Sequence, residues 1–280
     1  MNFGFRMFIQ IRDMVYTKTG IFITDSKVYA LKKRVEKRVK ALGLPSPEEY
    51  IEYLKYADVS GREFANLINE ITVNETYFFR NFPQLRVFAE HCLPDVVERK
   101  KQKKLQTVNI LSAGSSTGEE PYTLSIICQE LLDPSFKFKI DALDIDSKAL
   151  EAAQKAVYSE RSIKDVPLKY LEKYFVKIGN VYQLKDTVKR YVHFHRVNLF
   201  DRDALLSVGK NYDFVFCRNV LIYFSDESRR KVVESFYAMM NPGGYIFLGH
   251  SEFLSRITNA FELKRIGGFL VYQKPLFAGR

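Results

Sequence analysis

The chain has 280 residues, 46% hydrophobic and 27% charged, which suits one large or two smaller globular domains and excludes disordered and collagen-like chains. Cys92, Cys128 and Cys217 are odd in number and outside any CxxC spacing, so they point to a reducing compartment rather than a disulfide framework or zinc site. A formal charge of +10 favours an acidic partner, whether nucleic acid, anionic lipid or an acidic protein surface.

The chain opens on apolar residues (Phe3, Phe5, Met7, Phe8, Ile9) that Arg6, Arg12 and Asp13 interrupt. That stretch is too short and too charged for a signal peptide or a membrane span, so a cytoplasmic protein without membrane insertion is expected. Thr24-Asp25-Ser26 offers N-cap oxygens, and Val28, Leu31, Val35, Val39 and Leu42 follow at helical spacing until Gly43. Pro47-Glu48-Glu49 opens a second helix, and residues 62–71 suit a third. The spacing thus predicts a helical domain over residues 1–75, with a linker and connecting helix over 76–105.

From residue 106 to 280 strands and helices alternate. Strands are predicted at 108–111, 138–143, 213–217, 245–248 and 269–272, with helices at 119–132, 147–156 and 226–240. Such alternation argues for an α/β fold built on a doubly wound parallel sheet. Short β-prone runs at 181–184 and 191–194, separated by turn residues, read as a small antiparallel β insertion over about 174–195.

Leu111-Ser112-Ala113-Gly114-Ser115-Ser116-Thr117-Gly118-Glu119 carries a strand through a small-residue loop into a helix. In a doubly wound sheet a nucleotide-like ligand lies there, because Gly114 permits close backbone approach. The spacing is neither GxGxxG nor a P-loop, which disfavours a pyrophosphate ligand; a plain strand–helix turn is the other reading. Asp144, at the end of the second strand, is placed to accept from both ribose hydroxyls, while Asp146 or Ser147 suits the cap of the next helix. Asn198 and Leu199 fall where the third strand should end, and an amide with a neighbouring N–H there reads an adenine edge or merely caps a turn. No Asn/Asp-Pro-Pro-aromatic segment follows the fourth strand, which counts against methylation of a nucleic-acid base amine. His193 and His195 share one face of a strand, but no third ligand is evident and no metal is expected.

Four runs carry a resemblance. Residues 74–80 (NETYFFR), 116–122 (STGEEPY), 216–224 (FCRNVLIYF) and 249–252 (GHSE) resemble signature runs of the CheR family, the bacterial chemotaxis receptor glutamate O-methyltransferases. The likeness covers nearly the whole chain. It implies a Rossmann-like S-adenosylmethionine-dependent methyltransferase fold with an N-terminal all-helical domain, S-adenosyl-L-methionine as cofactor and S-adenosyl-L-homocysteine as product. It further implies that Asn74, Thr76 and Arg80 help hold the cofactor, Glu119 its methionine amino end, Asp144 its ribose, and Asn198 and Leu199 its adenine. Arg218 and Asn219 would line the pocket near the reacting group, with Tyr223 beside the transferred methyl, so that Arg218 and Tyr223 are the catalytic candidates.

By the same resemblance, the basic helix containing Lys27, Lys32, Lys33, Arg34, Lys37, Arg38 and Lys40 docks on the acidic methylatable helices of a chemoreceptor. Lys32, Lys33, Lys37 and Arg38 are the substrate-binding candidates, although a solvated charged face is the plainer reading of those residues. Members that bind a receptor's C-terminal pentapeptide carry a longer glycine-bearing loop than the one at 177–182, so a tail-independent enzyme is expected. A monomer that binds no nucleic acid completes the expectation. An RNA or other protein methyltransferase, and a non-catalytic cofactor-binding adaptor, are the rivals.

Overall fold

A computed structural model describes residues 4–276, with the side chain of residue 256 left aside; Phe3 lies outside the described residues. The N-terminal helices are α1 (Phe5–Thr19), α2 (Val28–Leu42), α3 (Pro47–Glu52) and α4 (Arg62–Ile71). Leu31, Val35 and Val39 line the buried stripe of α2, as the four-residue spacing requires, and meet Phe8, Ile11, Val15, Tyr50 and Leu67 in one core. Gly43 ends α2 in the left-handed conformation and donates to the carbonyls of Lys40 and Val39. Ser46 caps α3 by accepting from the Glu49 N–H at 3.2 Å, and Pro47 follows at the first helical position.

One ion pair crosses this core. Arg38 donates from Nε and Nη2 to both oxygens of Glu63, at 2.8 and 2.7 Å, and Tyr50 adds its hydroxyl at 2.8 Å. The three groups fix α2 against α3 and α4, and the Glu63 side chain is only 4% exposed. Arg38, one of the residues expected to meet substrate, is therefore engaged as an internal brace. It sits beside the apolar stripe, and its fork geometry suits a bidentate carboxylate better than a solvent-facing role.

A bridge of α5 (Phe82–Val87) and α6 (Leu93–Gln102) leads into a seven-stranded sheet. Its strands are β1 (Thr107–Ala113), β2 (Lys137–Asp144), β6 (Val192–Arg196), β7 (Tyr212–Cys217), β8 (Met240–Leu248), β9 (Glu262–Ile266) and β10 (Phe269–Gln273), in the spatial order β6-β2-β1-β7-β8-β10-β9. The first five are parallel and β10 is antiparallel to both neighbours. Among the helices flanking the sheet are α7 (Glu119–Leu131), α8 (Ser147–Lys155), α12 (Arg202–Val208) and α13 (Asp226–Met239). Chain direction across the sheet reverses between β1 and β7, which opens a crevice at their carboxyl ends.

The small insertion differs from its predicted form. Its sheet is β3 (Val157–Ser159), β5 (Val181–Leu184) and β4 (Phe175–Ile178), all antiparallel, with short helices α9 (Glu160–Ile163), α10 (Leu168–Tyr174) and α11 (Asp186–Lys189) around it. The run at 191–194 belongs instead to β6, parallel to β2 at the edge of the large sheet. Local β propensity marks a strand but not its partner, and the partner residues here lie 52 positions upstream, Val192 opposite Ile140. Asn241-Pro242-Gly243-Gly244 lies within β8 at a register shift opposite Tyr212 and Phe214. Among the described residues, no helix is long and apolar enough to cross a membrane.

Removing Glu63 would leave the Arg38 guanidinium buried and unpaired. Glu63→Ala should lower unfolding free energy by about 3–5 kcal/mol in urea titrations, with the m-value unchanged. A loss below about 1 kcal/mol would show that Arg38 finds water or another partner.

Candidate active site

The crevice is a cavity of about 500 Å³. Its floor is the carboxyl ends of β1, β2, β6 and β7, which contribute Gly114, Ser116, Asp144, Val197–Leu199 and Arg218–Val220. Its roof is the N-terminal domain: residues 19 and 21–23 after α1, one face of α2, and the connector 71–77 after α4.

The glycine loop is tight for identifiable reasons. Gly114 has φ +82°, and a Cβ there would run into Val220 Cγ2. Ser116 also has positive φ, and its N–H donates to Asp144 Oδ2 at 2.7 Å. Asp144 Oδ1 accepts from the Asp146 N–H at 2.9 Å, so its carboxylate is oriented by two backbone donors and borders the cavity. Burial pushes this carboxyl above the ordinary aspartate range, and the two backbone N–H groups pull back toward the ionised form.

Asp146 is the cap, and more. Oδ1 accepts from the N–H groups of Lys148 and Ala149 at the start of α8. Oδ2 accepts from Thr72 Oγ1 and Asn74 Nδ2, both at 2.7 Å. Asn74 Oδ1 in turn accepts from Ser116 Oγ at 3.1 Å, so the connector is pinned to both the glycine loop and the end of β2. Thr76 and Arg80 also border the cavity. Arg80 is held by donation from Nη1 to the Glu75 carbonyl at 2.6 Å.

The two adjacent glutamates diverge. Glu119 is buried, accepts from Thr117 Oγ1 at 2.6 Å, and is not among the residues bordering the cavity. Glu120 borders it, accepts from Ser112 Oγ at 2.8 Å, and faces Arg218 Nη1 at 3.2 Å. Successive helical residues point about 100° apart, so the two carboxylates take different neighbours. Glu120 therefore joins the lining of the cavity, and Glu119, the residue expected to meet the methionine arm, lies buried at the start of the same helix. Burial raises the Glu120 carboxyl above its ordinary range, partly offset by Arg218.

Arg218 is 9% exposed. Its Nη2 donates to the Arg80 carbonyl at 2.6 Å, while its buried Nε has no hydrogen-bond partner among the described residues. Asn219 follows in the left-handed conformation. Tyr223 is half-buried at the mouth; burial raises its pKa, so it stands as a neutral phenol at neutral pH. Its carbonyl accepts from the Phe22 N–H at 2.7 Å, joining the mouth to the N-terminal domain.

Asn198 and Leu199 border the cavity, but the Asn198 amide is engaged: Nδ2 donates to the Lys18 carbonyl at 2.8 Å and Oδ1 accepts from the Phe200 N–H. Its side chain ties α1 to the large sheet. Of the basic residues on and just before α2, Lys27 at its N-cap and Arg34 border the cavity, together with Ala30. Lys32 lies 4.0 Å from Glu36, Lys33 lies over the Tyr29 ring, and Lys37 is paired with Glu70 at 2.6 Å, none of them at the cavity. Thr19, Ile21 and Phe22 were missed by the sequence reading, because residues that reach a site from a separate domain leave no local pattern. His195 is bonded to Asp141 at 2.9 Å, and the described residues hold no cluster of three or more metal-ligating side chains.

The cavity suits a nucleoside bearing a charged side arm: an oriented acidic residue at one strand end, a glycine turn, and at the inner end a buried carboxylate beside an Arg218 Nε that lacks a partner. With the reversed strand order, these features define an S-adenosylmethionine-dependent methyltransferase. Two family models match the chain, the CheR methyltransferase all-alpha domain over residues 6–72 and the CheR methyltransferase SAM-binding domain over residues 74–267. The chain belongs to the CheR methyltransferase family. It is similar to chemotaxis protein methyltransferase 2 of Vibrio cholerae (41% identical over 96% of this chain and 92% of that one). It is also similar to the chemotaxis protein methyltransferases of Borreliella burgdorferi (33%, covering 85% of each chain) and Salmonella typhimurium (30%, covering 92% and 87%).

Gly114→Ala should cost about 1–3 kcal/mol, because it adds both positive-φ strain and overlap with Val220. Thermal melts of Gly114→Ala and of Gly114→Ala with Val220→Ala separate the two. The double variant should recover the overlap share and retain the backbone share, and no recovery would mean that Val220 is not the obstacle.

Proposed function

We propose that this methyltransferase esterifies glutamate side chains on the cytoplasmic helices of chemoreceptors, with the cavity as the shared site of cofactor and substrate carboxylate. The carrying observation is one cavity bordered both by the buried pair Glu120 and Arg218 and by Tyr223, with Lys27 over its ring, and Arg34. Cations at the cavity attract an acidic helix, and the relatives this chain resembles are chemotaxis protein methyltransferases.

When bound, S-adenosylmethionine would supply a sulfonium methyl whose carbon a carboxylate oxygen attacks, the C–S electron pair leaving with sulfur as the thioether of S-adenosylhomocysteine. In this reading Asp144 holds the ribose hydroxyls and the backbone at 198–199 meets the adenine. Glu120 takes the amino group of the methionine arm, Arg218 its carboxylate side, and Asn74, Thr76 and Arg80 close over it. Asn219 and Tyr223 border the methyl. Glutamate, with a reference pKa of about 4.3, is already anionic at neutral pH, so no residue need act as base and the chain's contribution is alignment. Lys27 and Arg34, rather than Lys32, Lys33 or Lys37, steer the substrate helix at the mouth. The short loop at 177–182 favours action without a receptor tail, and the protein acts as a monomer.

The purified protein should transfer label from methyl-labelled S-adenosylmethionine to receptor cytoplasmic fragments, and mild base should release it as methanol. Tyr223→Phe should slow that transfer by about tenfold. Base-stable label, or label on RNA alone, overturns the proposal.

Acidification gives a second test. Glu120 takes up its proton above the ordinary glutamate range, and the neutral acid no longer attracts an ammonium group. Cofactor affinity by calorimetry should therefore fall as pH drops through that raised pKa and be restored above it. Glu120→Gln should bind weakly and without this pH dependence; an unchanged profile in the variant would remove Glu120 from the site.

A further inference from the structure

The run Gly249-His250-Ser251-Glu252 does not border the cavity, yet it bonds to the 219–222 turn that does and to Asn81, next to Arg80. Glu252 is 7% exposed and faces no cation within ion-pair distance among the described residues. Its carboxylate is instead filled by backbone donors: Oε2 accepts from Asn219 N–H at 2.9 Å and Gly249 N–H at 2.6 Å, and Oε1 accepts from Ile222 N–H at 3.1 Å. Two of these donors belong to the turn that carries Asn219 and leads into Tyr223. That turn contains a left-handed Asn219, a conformation that costs free energy unless something holds it. On the other side, His250 Nε2 lies 2.9 Å from Asn81 Oδ1, next to Arg80, and Gln84 Nε2 donates to the Leu248 carbonyl at 2.8 Å. There is no spare room: a Cβ on Gly249 would lie 2.7 Å from Glu252 Oε2 and 2.9 Å from Asn219 N.

We propose that Glu252 is a positioning residue for methyl transfer, its carboxylate setting the 219–222 turn and hence the placement of Asn219 and Tyr223 at the reacting groups. The inference rests on the methylation reading above. A charged acceptor is suited to this task because one carboxylate satisfies three converging N–H groups, which a neutral amide of the same shape cannot do. Glu252→Gln places an NH2 group against at least one of those donors and loosens the turn without removing volume.

The control is Asp213→Asn. Asp213 is a buried carboxylate at the opposite end of β7 that accepts from Asn109 N–H, Asn241 Nδ2 and Lys100 Nζ, and touches no part of the cavity. Wild type, Glu252→Gln, Gly249→Ala and Asp213→Asn are compared for Tm, kcat and KM on a receptor fragment, and for Kd of S-adenosylhomocysteine. Glu252→Gln should lose about tenfold or more in kcat, with KM for the receptor fragment within about twofold. It should also bind S-adenosylhomocysteine more weakly and lose more of both than Asp213→Asn per degree of Tm. Gly249→Ala, which keeps the carboxylate but crowds it, should lose kcat in the same manner and decides the matter if Glu252→Gln does not fold. Equal kcat and Kd in variant and wild type, or losses that only track Tm as in Asp213→Asn, overturn the proposal. An inactive wild type overturns the methylation reading instead, and Kd alone then judges the positioning role.

Discussion

The reversal of strand order between β1 and β7 is the constraint from which the site follows. Helices connecting strands to the left and right must leave on opposite faces, so no connection covers the carboxyl ends of the two central strands. That gap has a polar floor of backbone groups and strand-end side chains, and it needs a roof. The N-terminal domain provides it, and Asp146 is the hinge pin: one carboxylate oxygen caps α8 while the other holds Thr72 and Asn74 of the connector. A single buried acid thus couples helix initiation in one domain to the position of the segment that closes the cavity.

Buried carboxylates recur with different partners, and the partners decide what each one does. Glu63 meets a guanidinium fork and braces helices. Asp213 meets Lys100 and the amino-terminal edge of the sheet. Glu252 meets, among the described residues, three backbone N–H groups, two of them in the 219–222 turn. Glu120 alone borders the cavity while paired with a partly satisfied arginine, which leaves it able to engage a ligand. Charge placed in the interior is costly unless matched, so each of these four sites is a point where the sequence tolerates little change.

The cations of α2 illustrate a similar division. The helix is basic along its length, but its buried stripe, its brace to Glu63 and its pairing with Glu70 and Glu36 remove much of that charge from any binding role. Lys27 and Arg34 remain at the cavity because they share the face of Ala30, which turns toward the crevice. Composition alone reports the sum of charge; helical phase distributes it.

Much was legible without coordinates. Hydrophobic spacing along 28–42, the strand–helix alternation after 106, the glycine loop at 114–118 and the acids at 144 and 146 are local patterns, and local patterns are written in consecutive residues. The sequence by itself determined a helical domain followed by a doubly wound α/β domain, the strand ends that form the crevice, and the family likeness carried by four short runs. Tertiary structure alone decided that Glu120 pairs with Arg218 at the cavity, that the 191–194 run joins β2 rather than the insertion, that Arg38 is engaged by Glu63, and that the end of α1 borders the cavity. The physical reason is common to all four: each depends on a partner 25 or more residues away in the chain or on the rotation of a helix against its neighbour, and neither is set by the residues next in sequence.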